Sequence, residues 1–211
     1  MRLTIFGATG GTGTQLVEQA LAAGHDVVAV VRDPARLSVA GHPRLRVVTA
    51  DLMDPRSIAP AMTGADAVLT AAGPRSGGPT TVITDSVRSI AAAMDKTGTK
   101  RLLALSGSIA ADGGEGFFLR YLLKPLARRT FLRNVCADMR KAEAEVAGTE
   151  LDWTVVRPPQ LTDGPATGKY RTAVERDLPR GFRVSRADLA SYMLLLIADR
   201  ATVRKHVAIA Y

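Results

Sequence analysis

The chain has 211 residues, is 46% apolar and 23% charged, and carries a formal net charge of +8, a composition that excludes a disordered or low-complexity polypeptide. A chain of this length hides roughly 70% of its unfolded surface, enough for one full core. Its single cysteine, Cys136, excludes an intramolecular disulfide framework, and three scattered histidines (His25, His42, His206) argue against a His/Cys metal site.

The opening run MRLTIF enters a strand-like pattern at once, and Leu3 to Phe6 reads as a first buried strand. A glycine-rich turn follows, then a helix over Gln15 to Ala23 closed by Gly24. Further strands are expected at Asp26–Val31, Leu45–Thr49, Ala67–Thr70, Arg101–Leu105 and Trp153–Val156. The intervening runs Pro55–Met62, Thr81–Lys96 and Ala137–Ala147 have helical periodicity, with Gly98 closing the second of these. Strands alternating with helices predict a Rossmann-like, doubly wound parallel α/β sheet in a single domain spanning 1–211. Irregular, pocket-covering regions are expected at about 107–135 and 158–183, the latter over the C-terminal edge of the sheet. No apolar run approaches the roughly 18 residues that span a bilayer. With one cysteine and no signal-peptide pattern, the cytoplasm is the expected compartment.

Gly7, Gly10 and Gly13 form G-x-x-G-x-x-G between the first strand and the first helix. Glycines there allow a tight turn and close approach of a pyrophosphate to the unpaired N–H groups of a helix N-terminus. The bland alternative is a structural turn in which glycines only permit packing. The end of the second strand carries Arg32 and, four residues on, Arg36. An acidic residue at this point selects NAD by holding the ribose 2′-hydroxyl; two arginines suit a 2′-phosphate and predict NADP(H). Asp33 between them either caps the next turn or pairs with Arg36. Asp51 and Leu52, after the third strand, suit the amine and the ring face of adenine. After the fourth strand, Ala71-Ala72-Gly73-Pro74-Arg75 forms another turn at the end where doubly wound sheets bind ligands.

These segments resemble the NAD(P)H-binding, NmrA-like group of atypical short-chain dehydrogenases/reductases, and within it the biliverdin reductase B, or flavin reductase, branch. The resemblance runs nearly end to end through IFGATGGTG, VVRDPARL, ADL, GPRSGGPTTV, AAMDKTG, VVRPPQLTDGPATGKY and VSRADLASYML. It implies NADPH-dependent reduction of a flavin-, quinone- or tetrapyrrole-like acceptor. By position it implies that Gly7, Thr9, Gly10, Gly11, Thr12 and Gly13 hold the pyrophosphate, and Arg32 and Arg36 the 2′-phosphate. Asp51 and Leu52 would meet the adenine, and Ala72, Gly73 and Arg75 the central ribose and phosphates. Ser106 and the turn Pro158-Pro159-Gln160-Leu161 would face the nicotinamide. Two positions depart from the branch: Gly107 stands where it has a serine, and Gln160 where it has a histidine.

Classical carbonyl reductases of the wider superfamily use Y-x-x-x-K. Four residues beyond Tyr121, Tyr170 and Tyr192 stand Pro125, Val174 and Leu196, and Tyr211 ends the chain, so the motif is absent. Lys141 resembles its lysine, with Ala137 at the tyrosine position. An alcohol/ketone dehydrogenase is therefore disfavoured. Ser106, Ser108, Lys141 and Gln160 are the candidates for work at the reacting ring. For each serine the alternative is capping of a strand-end turn, and for Lys141 an exposed helical lysine. A rival reading of the same motifs is a non-catalytic NADPH-binding regulator.

The segment GEGFFLRYLLKPLARRTFLRNV interleaves Phe117, Phe118, Tyr121 and Phe131 with Arg120, Lys124, Arg128 and Arg133. It suits a lid over the acceptor pocket, a basic amphipathic surface for a partner or membrane, or a packed helix with a solvated basic face. No nucleic-acid motif accompanies the charge, which ranks nucleic acid below a small-molecule acceptor.

Overall fold

A computed structural model of the protein describes residues 1–39, 41–74, 80–110 and 133–211. The lid expected near 117–135, apart from its last residues, and Arg75 lie outside the described residues. The strands are β1 (Arg2–Phe6), β2 (Asp26–Val31), β3 (Leu45–Thr49), β4 (Ala67–Thr70), β5 (Arg101–Leu105), β6 (Asp152–Arg157), β7 (Gln160–Thr162), β8 (Arg171–Val174), β9 (Arg183–Ser185) and β10 (Lys205–Ala210). The helices are α1 (Gly11–Ala22), α2 (Pro55–Met62), α3 (Val82–Thr97), α4 (Arg133–Ala147) and α5 (Arg186–Leu195).

Eight strands form one sheet in the order β3-β2-β1-β4-β5-β6-β10-β8. All neighbours are parallel except β10 and β8, which run antiparallel. Parallel strands must be covered on both faces, and alternation along β1 shows how. Leu3 and Ile5 enter a core with Leu16, Val17 and Ala20 of α1 and Leu189 and Met193 of α5. Phe6 enters the opposite core, with Met62 of α2, Ile90 and Met94 of α3 and Val146 of α4. Thr4, wholly buried on that second side, donates its hydroxyl to the Ala61 carbonyl at 2.7 Å. The sheet therefore reads as doubly wound, with its topological switch between β1 and β4.

The stretch 158–183 is more regular than expected. β7 pairs in parallel with β9 as a separate two-stranded sheet, and β8 extends the main sheet beyond β10. Strands of three or four residues are too short to display a period, which is why the sequence reads as irregular there. The sequence reading also lacked α5 and β10 as elements; α5 follows β9 without a connecting loop, so no loop composition announces it.

Three buried polar contacts fix the framework. Asp138 of α4 accepts from the backbone N–H groups of Ile83 (2.9 Å) and Thr84 (3.0 Å) at the start of α3. Arg101, 5% exposed, donates to the carbonyls of Ile197 (3.2 Å), Asp152 (2.8 Å) and Leu196, and its burial lowers the guanidinium pKa to about 10. Asp188, fully buried in the first turn of α5, accepts from Thr167 N–H, Gly168 N–H and the Tyr211 hydroxyl at 2.8, 2.8 and 2.7 Å.

Candidate functional site

A cleft of about 490 Å³ opens at the C-terminal ends of β1, β2, β3 and β4, where the switch point lies. Its walls come from the strand-end turns. Gly7, Thr9 and Gly10 follow β1; Arg32 and Arg36 follow β2; Asp51 and Leu52 follow β3; Ala72 and Gly73 follow β4. The structure thus brings together residues that the sequence holds up to 66 positions apart, from Gly7 to Gly73. Val30, Val31, Ala50, Met53 and Val82 also line it and were not singled out from the sequence. Most of these are strand ends or their immediate successors; the alternation of β2 and the position just after β3 were the available signals.

The glycines of the turn divide into two kinds. Gly7 has φ +73°, and a Cβ there would lie 2.6 Å from the Ala71 carbonyl carbon. A Cβ on Gly13 would lie 2.0 Å from the Gly7 oxygen, so these two glycines let β1, α1 and the β4 turn close on one another. Gly10 and Gly73 are different. A Cβ on Gly10 meets only the Gly7 oxygen at 3.3 Å, and one on Gly73 meets nothing within 4 Å. Their missing side chains keep open space in the cleft rather than permit internal packing. Thr12 and Gly13 are buried and Gly11 is exposed, and none of the three lines the cleft.

Helix ends decide where an anion can settle. Gly10 is the N-cap of α1 and supplies no side-chain cap, so the N–H groups of the first turn have no acceptor within the helix. The start of α3, by contrast, is already occupied by the Asp138 carboxylate. Of these two helix ends, that of α1 is the one with N–H groups open to a phosphate. Asp33 resolves in favour of capping: its Oδ1 accepts from Ala35 N–H at 3.0 Å, at the start of a short 3₁₀ turn over Pro34–Arg36. Arg32 and Arg36 both stand exposed on the cleft. Asp51 Oδ1 accepts from Met53 N–H at 3.0 Å, which shapes the turn after β3.

The residues expected near the reacting ring lie at the ends of β5 and β6. Ser106 donates its N–H to the Val156 carbonyl at 2.9 Å, and Ser108 donates its N–H to the Pro158 carbonyl at 2.8 Å. These bonds tie the β5 turn to the paired prolines. Ser106 is 8% exposed, and its hydroxyl oxygen has no hydrogen-bond partner among the described residues. A buried hydroxyl without a partner costs about 1–3 kcal/mol, which a ligand can recover. Pro158 is buried and Pro159 and Leu161 are half-buried, whereas Gln160 is exposed, its N–H donating to Phe182 O at 3.3 Å. Lys141 is exposed on α4 and is not among the cleft residues. Arg157, just before the prolines, is held by both oxygens of Glu143 at 3.0 and 2.7 Å. That pair fixes the end of β6 against α4.

An uncapped helix end and an open glycine floor fit the phosphates of a dinucleotide, while Ser106, at the end of β5, is not among the cleft residues. Comparison with known proteins agrees. The family model described as NAD(P)H-binding matches residues 7–200, and the chain belongs to that family. An uncharacterized chloroplastic protein of Arabidopsis thaliana is 29% identical over 196 residues, covering 84% of this chain and 68% of its own. The oxidoreductase ylbE of Lactococcus lactis superposes with a TM-score of 0.82 at 20% identity, over 100% of this chain and 90% of that one. A short-chain dehydrogenase/reductase of Veillonella parvula, solved with NADP, gives 0.81 at 18% identity over 100% and 94%. ChuY, an anaerobilin reductase of Escherichia coli O157:H7, gives 0.80 at 24% identity over 100% and 97%. The structural likenesses establish the shared Rossmann-like fold. No helix among the described residues is long and apolar enough to cross a membrane.

Proposed function

We propose that this member of the NAD(P)H-binding family is an NADPH-dependent reductase of a flat conjugated acceptor, such as a flavin, a quinone or a linear tetrapyrrole. The observation that carries the cofactor choice is the β2 end of the cleft. Arg32 and Arg36 line it, and the carboxylate between them is engaged in capping Ala35. Two exposed guanidinium groups offer the planar donor arrays that a 2′-phosphate takes. The structural likeness to a reductase solved with NADP and to an anaerobilin reductase supports the same reading.

Bound NADPH would supply the hydride. The chain's own contribution is binding and orientation. The α1 terminus and Gly10 take the pyrophosphate, Asp51 and Leu52 the adenine, and the tied turns at Ser106 and Pro158-Pro159 seat the nicotinamide end. The Ser106 hydroxyl, without a partner among the described residues, would orient the carboxamide or the acceptor. Hydride transfer between stacked rings depends mainly on proximity, and the proton can come from water, so the missing Y-x-x-x-K pair is no obstacle.

One observation favours a second reading. Among the described residues, the titratable side chains that line the cleft, Arg32, Arg36 and Asp51, follow β2 and β3, the adenosine side of the site. A binding protein that reports cofactor redox state to a partner would need no more than that. Loss of NADPH absorbance against FMN, a benzoquinone and biliverdin separates the two. Saturable turnover with one acceptor supports the reductase. Tight NADPH binding without turnover of any supports the sensor.

A further inference from the structure

Arg186 is the first residue of α5, just after the N-cap Ser185, whose Oγ accepts from Asp188 N–H at 2.9 Å. Its side chain leaves α5 and lies across the start of α1. A Cβ built on Gly11 would stand 2.8 Å from Arg186 Cδ, 2.9 Å from Nε and 3.7 Å from Cζ. With no side chain on Gly11, the Arg186 side chain lies directly against the first turn of α1, where a Cβ would push it aside. The two helices are held together there, with Gln19 Nε2 donating to Ala187 O at 2.9 Å.

The electrostatics of this placement are unusual. The start of α1 is the positive end of a helix, and a cation beside it is disfavoured unless an anion is present. Among the described residues the counter-ion of Arg186 is Asp163, whose side chain is 89% exposed. An ion pair with so exposed a partner contributes little and is easily exchanged. A pyrophosphate at the α1 terminus would present a doubly charged, planar-matching acceptor next to the same guanidinium.

We propose that Arg186 is a phosphate clamp of the dinucleotide site, kept in position by Asp163 and transferred to the cofactor pyrophosphate on binding. The inference rests on the reading that the pyrophosphate settles at the α1 terminus. It assigns Arg186 a different task from Arg32 and Arg36. The pyrophosphate is common to NADPH and NADH, so Arg186 sets affinity for both, whereas the cleft arginines discriminate between them. It also gives the loop after β7 a role, because Asp163 competes with the cofactor for one cation.

The test is a pair of titrations, NADPH and NADH, by quenching of Trp153 fluorescence or calorimetry, on the wild-type chain and on Arg186→Ala, Arg186→Lys and Asp163→Asn. Arg186→Ala should weaken both nucleotides by about tenfold to a hundredfold, the range of a charge-assisted hydrogen bond. Arg186→Lys should recover part of that loss. Asp163→Asn should leave affinity unchanged or raise it a few-fold, because it releases the clamp. Parallel losses in Arg186→Ala and Asp163→Asn would overturn the proposal and make the pair a staple for the loop. Unchanged affinity in a folded Arg186→Ala would overturn it as well, while leaving the cofactor site standing. Failure of the wild-type chain to bind either nucleotide would remove both the clamp and the reading beneath it.

Discussion

Asp138 holds Thr84 by two bonds from one carboxylate oxygen: Oδ1 accepts from the Thr84 N–H at 3.0 Å and from its hydroxyl at 2.6 Å. The other oxygen takes Ile83 N–H, so a residue of α4 caps α3 from outside its own helix. Val82, the first residue of α3, lines the cleft, and the cap thereby sets one wall of the site. Asp138→Ala should cost about 2–3 kcal/mol, because it leaves two buried backbone N–H groups without acceptors, while the Thr84 hydroxyl keeps the Asp138 carbonyl at 3.1 Å. Thermal unfolding should show a melting temperature lower by roughly 5–10 °C for a chain of this size. Thr84→Val should cost less, about 1 kcal/mol, since the backbone donors remain.

Arg32→Ala should weaken NADPH by about 1.5–3 kcal/mol, the scale of hydrogen bonds to a charged group, and barely change NADH. Arg36→Ala should act in the same direction. Equal losses for the two nucleotides would remove the 2′-phosphate from this end of the cleft. Isothermal titration at fixed ionic strength is the appropriate measurement, since exposed charges are screened by salt.

Ser106→Ala separates a structural hydroxyl from a functional one. Its oxygen is buried and has no partner among the described residues, so removing it should not destabilise the free protein and should raise the unfolding free energy by up to about 1–3 kcal/mol. If the hydroxyl orients the nicotinamide or the acceptor, kcat/KM should fall about tenfold, one hydrogen bond lost in the transition state. A loss of stability with unchanged turnover would place the hydroxyl in the fold instead.

Asp188 should shape the acid limb of stability. Burial pushes its carboxyl up, but hydrogen bonds from Tyr211, Gly168 and Thr167 outweigh burial and hold the pKa below the ordinary carboxylate value. A depressed folded pKa means that the stabilisation is fully present above the unfolded value, about 3.9. It is lost as the pH falls from there through the folded value. Asp188→Asn should therefore be less stable than wild type at pH 7, by about 3 kcal/mol. The gap should narrow as the pH is lowered below about 4, which urea midpoints between pH 3 and 7 would show. A gap independent of pH would mean that the carboxylate charge is not what these donors recognise.

Local pattern determined a great deal about this protein by itself. Six strands and the first four helices are legible because buried runs and helical periods are properties of neighbouring residues, and so is the glycine turn between β1 and α1. The cleft residues after β1, β2, β3 and β4 were legible for the same reason, as strand ends of a doubly wound sheet. Contacts between distant segments were not. Whether Asp33 caps Ala35 or pairs with Arg36 depends on the turn that Pro34 begins. That Gly11 serves Arg186, 175 positions away, requires α1 and α5 to pack side by side. That the start of α3 is closed by Asp138 while the start of α1 stays open is likewise decided by which helices adjoin. Sequence period encodes which face of each element is apolar; only packing decides which polar group meets each helix end, and here that choice closes the start of α3 and leaves the start of α1 without a side-chain cap.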